Sequence, residues 1–460
     1  MKTRVWIASM LLAWSAAAFA GGPQVIGGPT YGTAGQPFTW NPASMPIHYR
    51  VDPGPMSISP TGTTVISNAS GLQRLQNNFA VWQSVPGAAL SFQNDGKLLP
   101  AGSYTGGDLA TVQQFNDVIA SCNAGGQSPV IFDANGAIVA GLGLPSEIIG
   151  FMQGCALDKV HGYLQSAAIV LNGVYQDGVA TFNDPELSAS VFDEAMIHEI
   201  GHLIGLDHSQ INLNLLTGNV FPCDDDNLAG LPVMFPEAIC QARTDNGLPP
   251  LAPDDMAWAA KLYPGPGYAS TYGTISGIIY FADGASHFQG ANVIARAVDD
   301  PNTTQDESRR IAVSVISGYR FTDDVGQSVS ASGGPDNSLG DPFGSRDSQL
   351  IGYYEIPVPP GTYTVEVESI YNSFESDSSI GPLTPPAQLD GPAEFWNQQE
   401  SAFDFPLQRD SITVHAGDKV TGIDIILNGI HPRFDQYEDQ GALFDAPLPA
   451  VLPAAAEVRS

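Results

Sequence analysis

Residues 198–208 read His-Glu-Ile-Gly-His-Leu-Ile-Gly-Leu-Asp-His, a run that gathers three imidazoles and a carboxylate in one short stretch. The 460-residue chain holds only 8 histidines. Chance would produce this set of five fixed residues roughly 10⁻⁵ times in a chain of this composition, which argues against a surface helix with incidental histidines. On an α-helix, positions i and i+4 share a face. His198 and His202 can therefore aim ring nitrogens at one metal ion from successive turns, with Glu199 beside them as a base. Gly205 admits the positive φ that ends a helix and turns the chain, bringing His208 round as a third ligand. Three protein ligands leave one tetrahedral position for water, the arrangement of a catalytic zinc site.

Such ligands need a rigid support. Asp184, Pro185 and Glu186 read as N-cap, first helical position and first-turn acid, starting a helix that runs to about Ile204. The apolar runs 130–132 and 167–171 read as strands. Pro264-Gly-Pro-Gly267 reads as a linker. Beyond it, short alternating segments at 273–280, 291–295, 353–367 and 420–427 predict a small antiparallel sandwich, with 301–349 and 372–408 as insertions. Asp133-Ala-Asn135-Gly136 offers oxygen ligands that suit calcium, although Asx-Gly turn chemistry alone accounts for it. His48, His161, His287, His415 and His431 are isolated and read as surface or packing residues.

The compartment follows from the ends and the cysteines. Lys2 and Arg4 precede an apolar stretch closed by Ala18-Phe-Ala20, a cleavable export signal over residues 1–20. No other window approaches the roughly 18 apolar residues of a membrane span, so the mature protein is expected to be secreted or extracytoplasmic. The four cysteines suit an oxidising compartment; of three possible pairings, Cys122 with Cys155 and Cys223 with Cys240 are preferred as sequence neighbours. A formal charge of −31 repels phosphate backbones and argues against nucleic-acid partners.

The zinc run resembles the metzincin signature, in which a methionine-containing turn follows the third histidine. Leu231-Pro-Val-Met234-Phe-Pro236 supplies a candidate turn, and Ser209 after the third histidine resembles the matrixins among metzincins. Residues 45–51 are similar to the first strand of that family, 79–82 to its first helix, and Asp254-Asp255 leading to Leu262-Tyr263 to its closing helix. The resemblance implies an α+β chain: a metzincin-type catalytic domain over 38–265, with a twisted mixed sheet plus long helices. An extended leader, 21–37, precedes it. Residues 271–428 resemble the carboxypeptidase-regulatory-like, transthyretin-like all-β sandwich, and 429–460 read as a disordered tail.

The resemblance further implies a zinc endopeptidase acting on protein or peptide substrates. His198, His202 and His208 would hold the metal, Glu199 would be the general base, and Met234 would form an apolar floor. Residues 167–171 resemble the edge strand to which substrates add in antiparallel fashion. No cysteine lies in 21–37, so the thiol that caps zinc in many matrixins has no counterpart there. A surface, matrix or glycan-binding protein with a secondary protease domain is the competing reading, and intact Glu199 argues against it.

Overall fold

The computed structural model describes residues 21–28, 33–158, 160–180, 185–212, 215, 223–321, 345, 347–369, 393–430 and 458–459. Within them the chain is a mixed α and β fold. The expected export signal over residues 1–20 and the expected cap Asp184 lie outside the described residues.

The first half is built on one large sheet. Its strands are β1 (Thr39–Trp40), β2 (Ile47–Val51), β5 (Phe92–Lys97), β6 (Pro129–Asp133), β7 (Ile148–Asp158) and β8 (Tyr163–Asn172). A separate hairpin pairs β3 (Ser57–Ile58) with β4 (Thr64–Ile66). β6 is buried along its whole length and β8 is buried from Ser166 onward. Continuous apolar strands of this kind form parallel sheets covered on both faces. Accordingly β6 pairs in parallel with β8 and β2, while β7 lies antiparallel outside β8.

Helices cover the two faces by side-chain parity. Val130 and Phe132 meet Leu75 and Phe79 of α1 (Asn68–Gln83) and Phe192 and Met196 of α4 (Ala189–Leu203). Ile131 points the other way, to Phe115 of α2 (Val112–Asn123) and Ile138 of α3 (Ala137–Leu142). Residues 167–171 thus lie in the interior strand β8. Outside it on that side lies β7, with only the two-residue Val458–Arg459 segment beyond, which corrects the edge-strand assignment made from sequence.

After α5 (Asp225–Gly230) and α6 (Pro253–Leu262), the expected linker is a packed turn. Gly265 N donates to Gly87 O at 2.8 Å, and α7 (Tyr268–Thr271) follows at once. Two further sheets then face each other. One holds β10 (Asn292–Ala297), β11 (Ala312–Ile316), β13 (Gly361–Glu368), β14 (Glu394–Phe395) and β15 (Ile412–Val414), all antiparallel. The other holds β9 (Gly273–Tyr280), β12 (Tyr353–Val358), β16 (Lys419–Val420) and β17 (Ile425–Ile426), with β16 and β17 parallel to β9.

The sandwich is therefore mixed rather than purely antiparallel. The stretches read as insertions each contribute a strand, β11 and β14, and 301–349 also holds α8 (Glu307–Arg310). A hydrophobic cluster runs unbroken from Met196 through Trp258 and Tyr263 to Ile275 and Val365. Both preferred disulfides form, with Cα separations of 5.5 Å for Cys122–Cys155 and 5.6 Å for Cys223–Cys240. No helix among the described residues is long and apolar enough to cross a membrane. In the tail read as disordered, Val458–Arg459 forms β18, antiparallel to β7.

Candidate metal centre

α4 carries the site. Its N-cap is Ser188, whose hydroxyl accepts from Val191 N, so the helix begins after the predicted Asp184–Pro185 start. Its C-terminal end matches the prediction: the helix stops at Leu203 and Gly205 turns with φ of 86°. Aromatic donors fix its carbonyls. Trp82 Nε1 donates to Ile197 O at 2.9 Å, Trp40 Nε1 to Leu203 O at 2.6 Å and Tyr263 OH to Ile204 O at 2.7 Å. The bonds to Leu203 and Ile204 satisfy carbonyls that the helix end leaves open, and the bond to Ile197 adds a second donor within the helix, so all three hold the histidine-bearing turns in place.

The three histidines meet. The Nε2 atoms of His198 and His202 are 3.0 Å apart, those of His198 and His208 3.0 Å, and those of His202 and His208 3.1 Å. Tetrahedral zinc bonded at about 2.0–2.1 Å implies nitrogen separations of about 3.3 Å, so contacts of this size suit one ion. His198 Nδ1 lies 2.7 Å from Val233 O and His202 Nδ1 2.9 Å from Leu206 O. A carbonyl can only accept, so both Nδ1 atoms carry the proton and both Nε2 atoms present lone pairs to the centre. The expected second hydrogen bond therefore exists for two ligands. His208 Nδ1 is buried with no hydrogen-bond partner among the described residues.

All three rings are at most 1% exposed. Burial pushes His202 down to about 4; burial and then the neighbouring imidazoles push His198 and His208 well below the ordinary histidine value. They are neutral at pH 7, the form that ligates metal. Glu199 follows His198 on the same turn, is fully buried and lies against Gly150 of β7.

Met234 packs against the helix that carries His198 and His202. Its sulfur packs so closely on Gly201 that a Cβ there would collide with it, which explains the glycine between the two helical histidines. The turn is held by Asp255, whose carboxylate accepts from Val233 N at 2.9 Å, Met234 N at 3.1 Å and Ala252 N at 2.7 Å. Burial pushes Asp255 up to about 6.

The loop bearing His208 is clasped from three sides. Ser209 N donates to Met234 O at 2.9 Å. The leader lies along the loop: Gly21 N donates to His208 O at 2.5 Å, Asp207 N to Gly22 O at 3.0 Å and Gln24 N to Gly205 O at 2.8 Å. From the sandwich, Arg296 donates to Asn212 Oδ1 at 3.0 Å, while Asn212 Nδ2 donates to Arg309 O at 3.0 Å. Asn212 adopts a left-handed φ of 62°, and these bonds hold it there. Sequence reasoning missed Asp255, the leader and the Arg296–Asn212 bond as supports, because no local spacing marks partners so far apart in the chain. The Asp254-Asp255 pair was the one legible signal: Asp254 accepts from Ser314 N of β11 at 2.8 Å and ties the sandwich on.

Beside His198 lies a cavity of about 50 Å³ lined by Val191, Ala195, Leu228, Val233 and Phe235, with Glu194 and Arg243 also on its wall. Arg243 N donates to Glu194 Oε1 at 2.6 Å, and burial pushes Glu194 up to about 7.

The calcium-like turn serves its own backbone. Asp133 Oδ2 accepts from Ile138 N at 3.0 Å and Val139 N at 2.9 Å, capping α3. His48, His161 and His415 pair with Asp95, Asp158 and Asp418 at the surface, and His287 packs edge-on to Tyr280. His431 lies outside the described residues. Comparison with models of known protein families finds no match, and no curated protein matches the chain.

Proposed function

We propose that the protein is a secreted zinc-dependent endopeptidase of matrixin type. The observation that carries this reading is the convergence of three neutral imidazole Nε2 atoms within 3.1 Å of one another, with Glu199 on the same helix. Histidine nitrogens with no protein donor between them suit a borderline-soft cation, and three such ligands suit zinc with an open position. The transthyretin-like identity of the sandwich belongs to the same proposal.

When bound there, zinc would polarise the scissile carbonyl and lower the pKa of its water toward about 7. Glu199 then takes the proton from the attacking water and returns it to the leaving amine. Its burial strengthens that exchange by excluding competing solvent. His198 and His202 are fixed in ring orientation by Val233 O and Leu206 O. The edge of β7 away from β8, beside Glu199, is where a substrate strand would add, in place of the two-residue β18 pairing there.

The test is Glu199→Gln in the full chain, read by peptide cleavage with and without chelator and by zinc content. Hydrolysis should fall about 10²–10⁴-fold with zinc retained. Undiminished cleavage by that variant would overturn the assignment.

A further inference from the structure

The outer edge of β7 already has an occupant. β18 pairs with it antiparallel, Val458 opposite Gly150 and Arg459 opposite Ile148. Gly150 also packs on the candidate base: a Cβ there would lie 3.2 Å from Glu199 Cγ and 3.4 Å from its Oε1. The tail backbone therefore pairs with the residue that packs on Glu199, along the edge where a substrate strand would add. An open edge next to a buried apolar strand invites pairing with any extended segment. β7 is buried from Ile148 to Gln153, so its backbone is a firm template.

The tether permits this. Ile430 is anchored to the sandwich through Ala282 N, which donates to its carbonyl at 2.8 Å. Residues 431–457 follow, a length that can span up to roughly 90 Å. A linked segment of this kind acts at an effective concentration on the order of 1 mM.

We propose that the chain's own segment around Val458–Arg459 is the resident ligand of the β7 edge, so that an incoming peptide must displace it. This rests on the peptidase reading for its consequence but not for the pairing itself. If the isolated strand binds with a dissociation constant of about 0.1 mM, tethering closes the edge about 10-fold. Displacement raises KM and leaves kcat unchanged.

The experiment compares the full mature chain with its Val458→Pro/Arg459→Pro variant by hydrogen exchange at the amides of residues 148–152 and by peptide hydrolysis. A second variant ends at Ile430. Both variants should exchange faster at β7, and a synthetic peptide of residues 446–460 added in trans should restore protection. KM should fall roughly 10-fold with kcat unchanged. Unchanged β7 exchange in both variants overturns the proposal. So does protection in the full chain that rises with protein concentration, since that shows pairing between copies. If neither chain cleaves peptides, the peptidase reading fails while the exchange result still decides the pairing.

Discussion

Two groups of side chains among the described residues bring three metal-competent atoms together: His198, His202 and His208 in the first half, and Glu394, Glu400 and Asp404 in the sandwich. They differ in what the protein gives them. The carboxylates are already answered by N–H donors: Asn428 N donates to Glu394, Ile426 N and Asn397 N to Glu400, and the Asn397 and Asn428 amides to Asp404, all within 2.9 Å. Burial, then neighbouring carboxylates, pushes Glu394 and Glu400 up to about 7, so protons relieve the remaining repulsion. The imidazoles spend their Nδ1 protons outward on backbone carbonyls and turn lone pairs inward. Proximity alone does not make a metal site; inward lone pairs without protein donors do.

That contrast can be broken by substitution. His208→Ala should cost about 3 kcal/mol of zinc binding, about 10²-fold in affinity, because one of the ligands that share the ion's binding energy is lost. Glu400→Gln should leave zinc affinity unchanged. Competition titration against a chromogenic chelator measures both, and equal losses would erase the distinction drawn here.

A smaller effect tests the packing under the histidines. Gly201→Ala forces a methyl into the Met234 sulfur and should cost about 1–3 kcal/mol of stability, read as a lowered Tm. Met234→Ala in that background should recover part of the loss, which a purely helical effect of Gly201 would not allow.

A pH-dependent effect concerns the seam between the halves. Burial first, then Asp255, pushes Asp254 up to about 8. Its folded state holds the proton more tightly than the unfolded chain, so its contribution is fully present below about pH 4 and lost as pH rises toward 8. Asp254→Asn should flatten that part of the stability profile in thermal melts between pH 5 and 8. An identical slope in the variant would assign it to other groups.

The site was legible because its information is local: the i, i+4 spacing, the stop at Gly205 and the return of His208 are all set within one helix and one turn. The edge strand was not. The run 167–171 and β7 outside it are both apolar, and β7 carries Gly150 and Gly154 with register shifts near Gly154 and Ala156, which weaken its strand pattern. In the sandwich, β14, β16 and β17 are two residues long and carry no periodicity to read. The fold's general class was visible, while the supports of the His208 loop depend on Gly21, Asn212 and Arg296 meeting across the whole chain.

The most direct measurement is the metal content of the purified mature chain beside its His202→Ala variant. The geometry predicts about one zinc per wild-type chain, removable by chelator, and none in the variant. Zinc absent from the wild type after exposure to the ion, or bound equally in both, would contradict the three-imidazole centre and the hydrolytic role built on it.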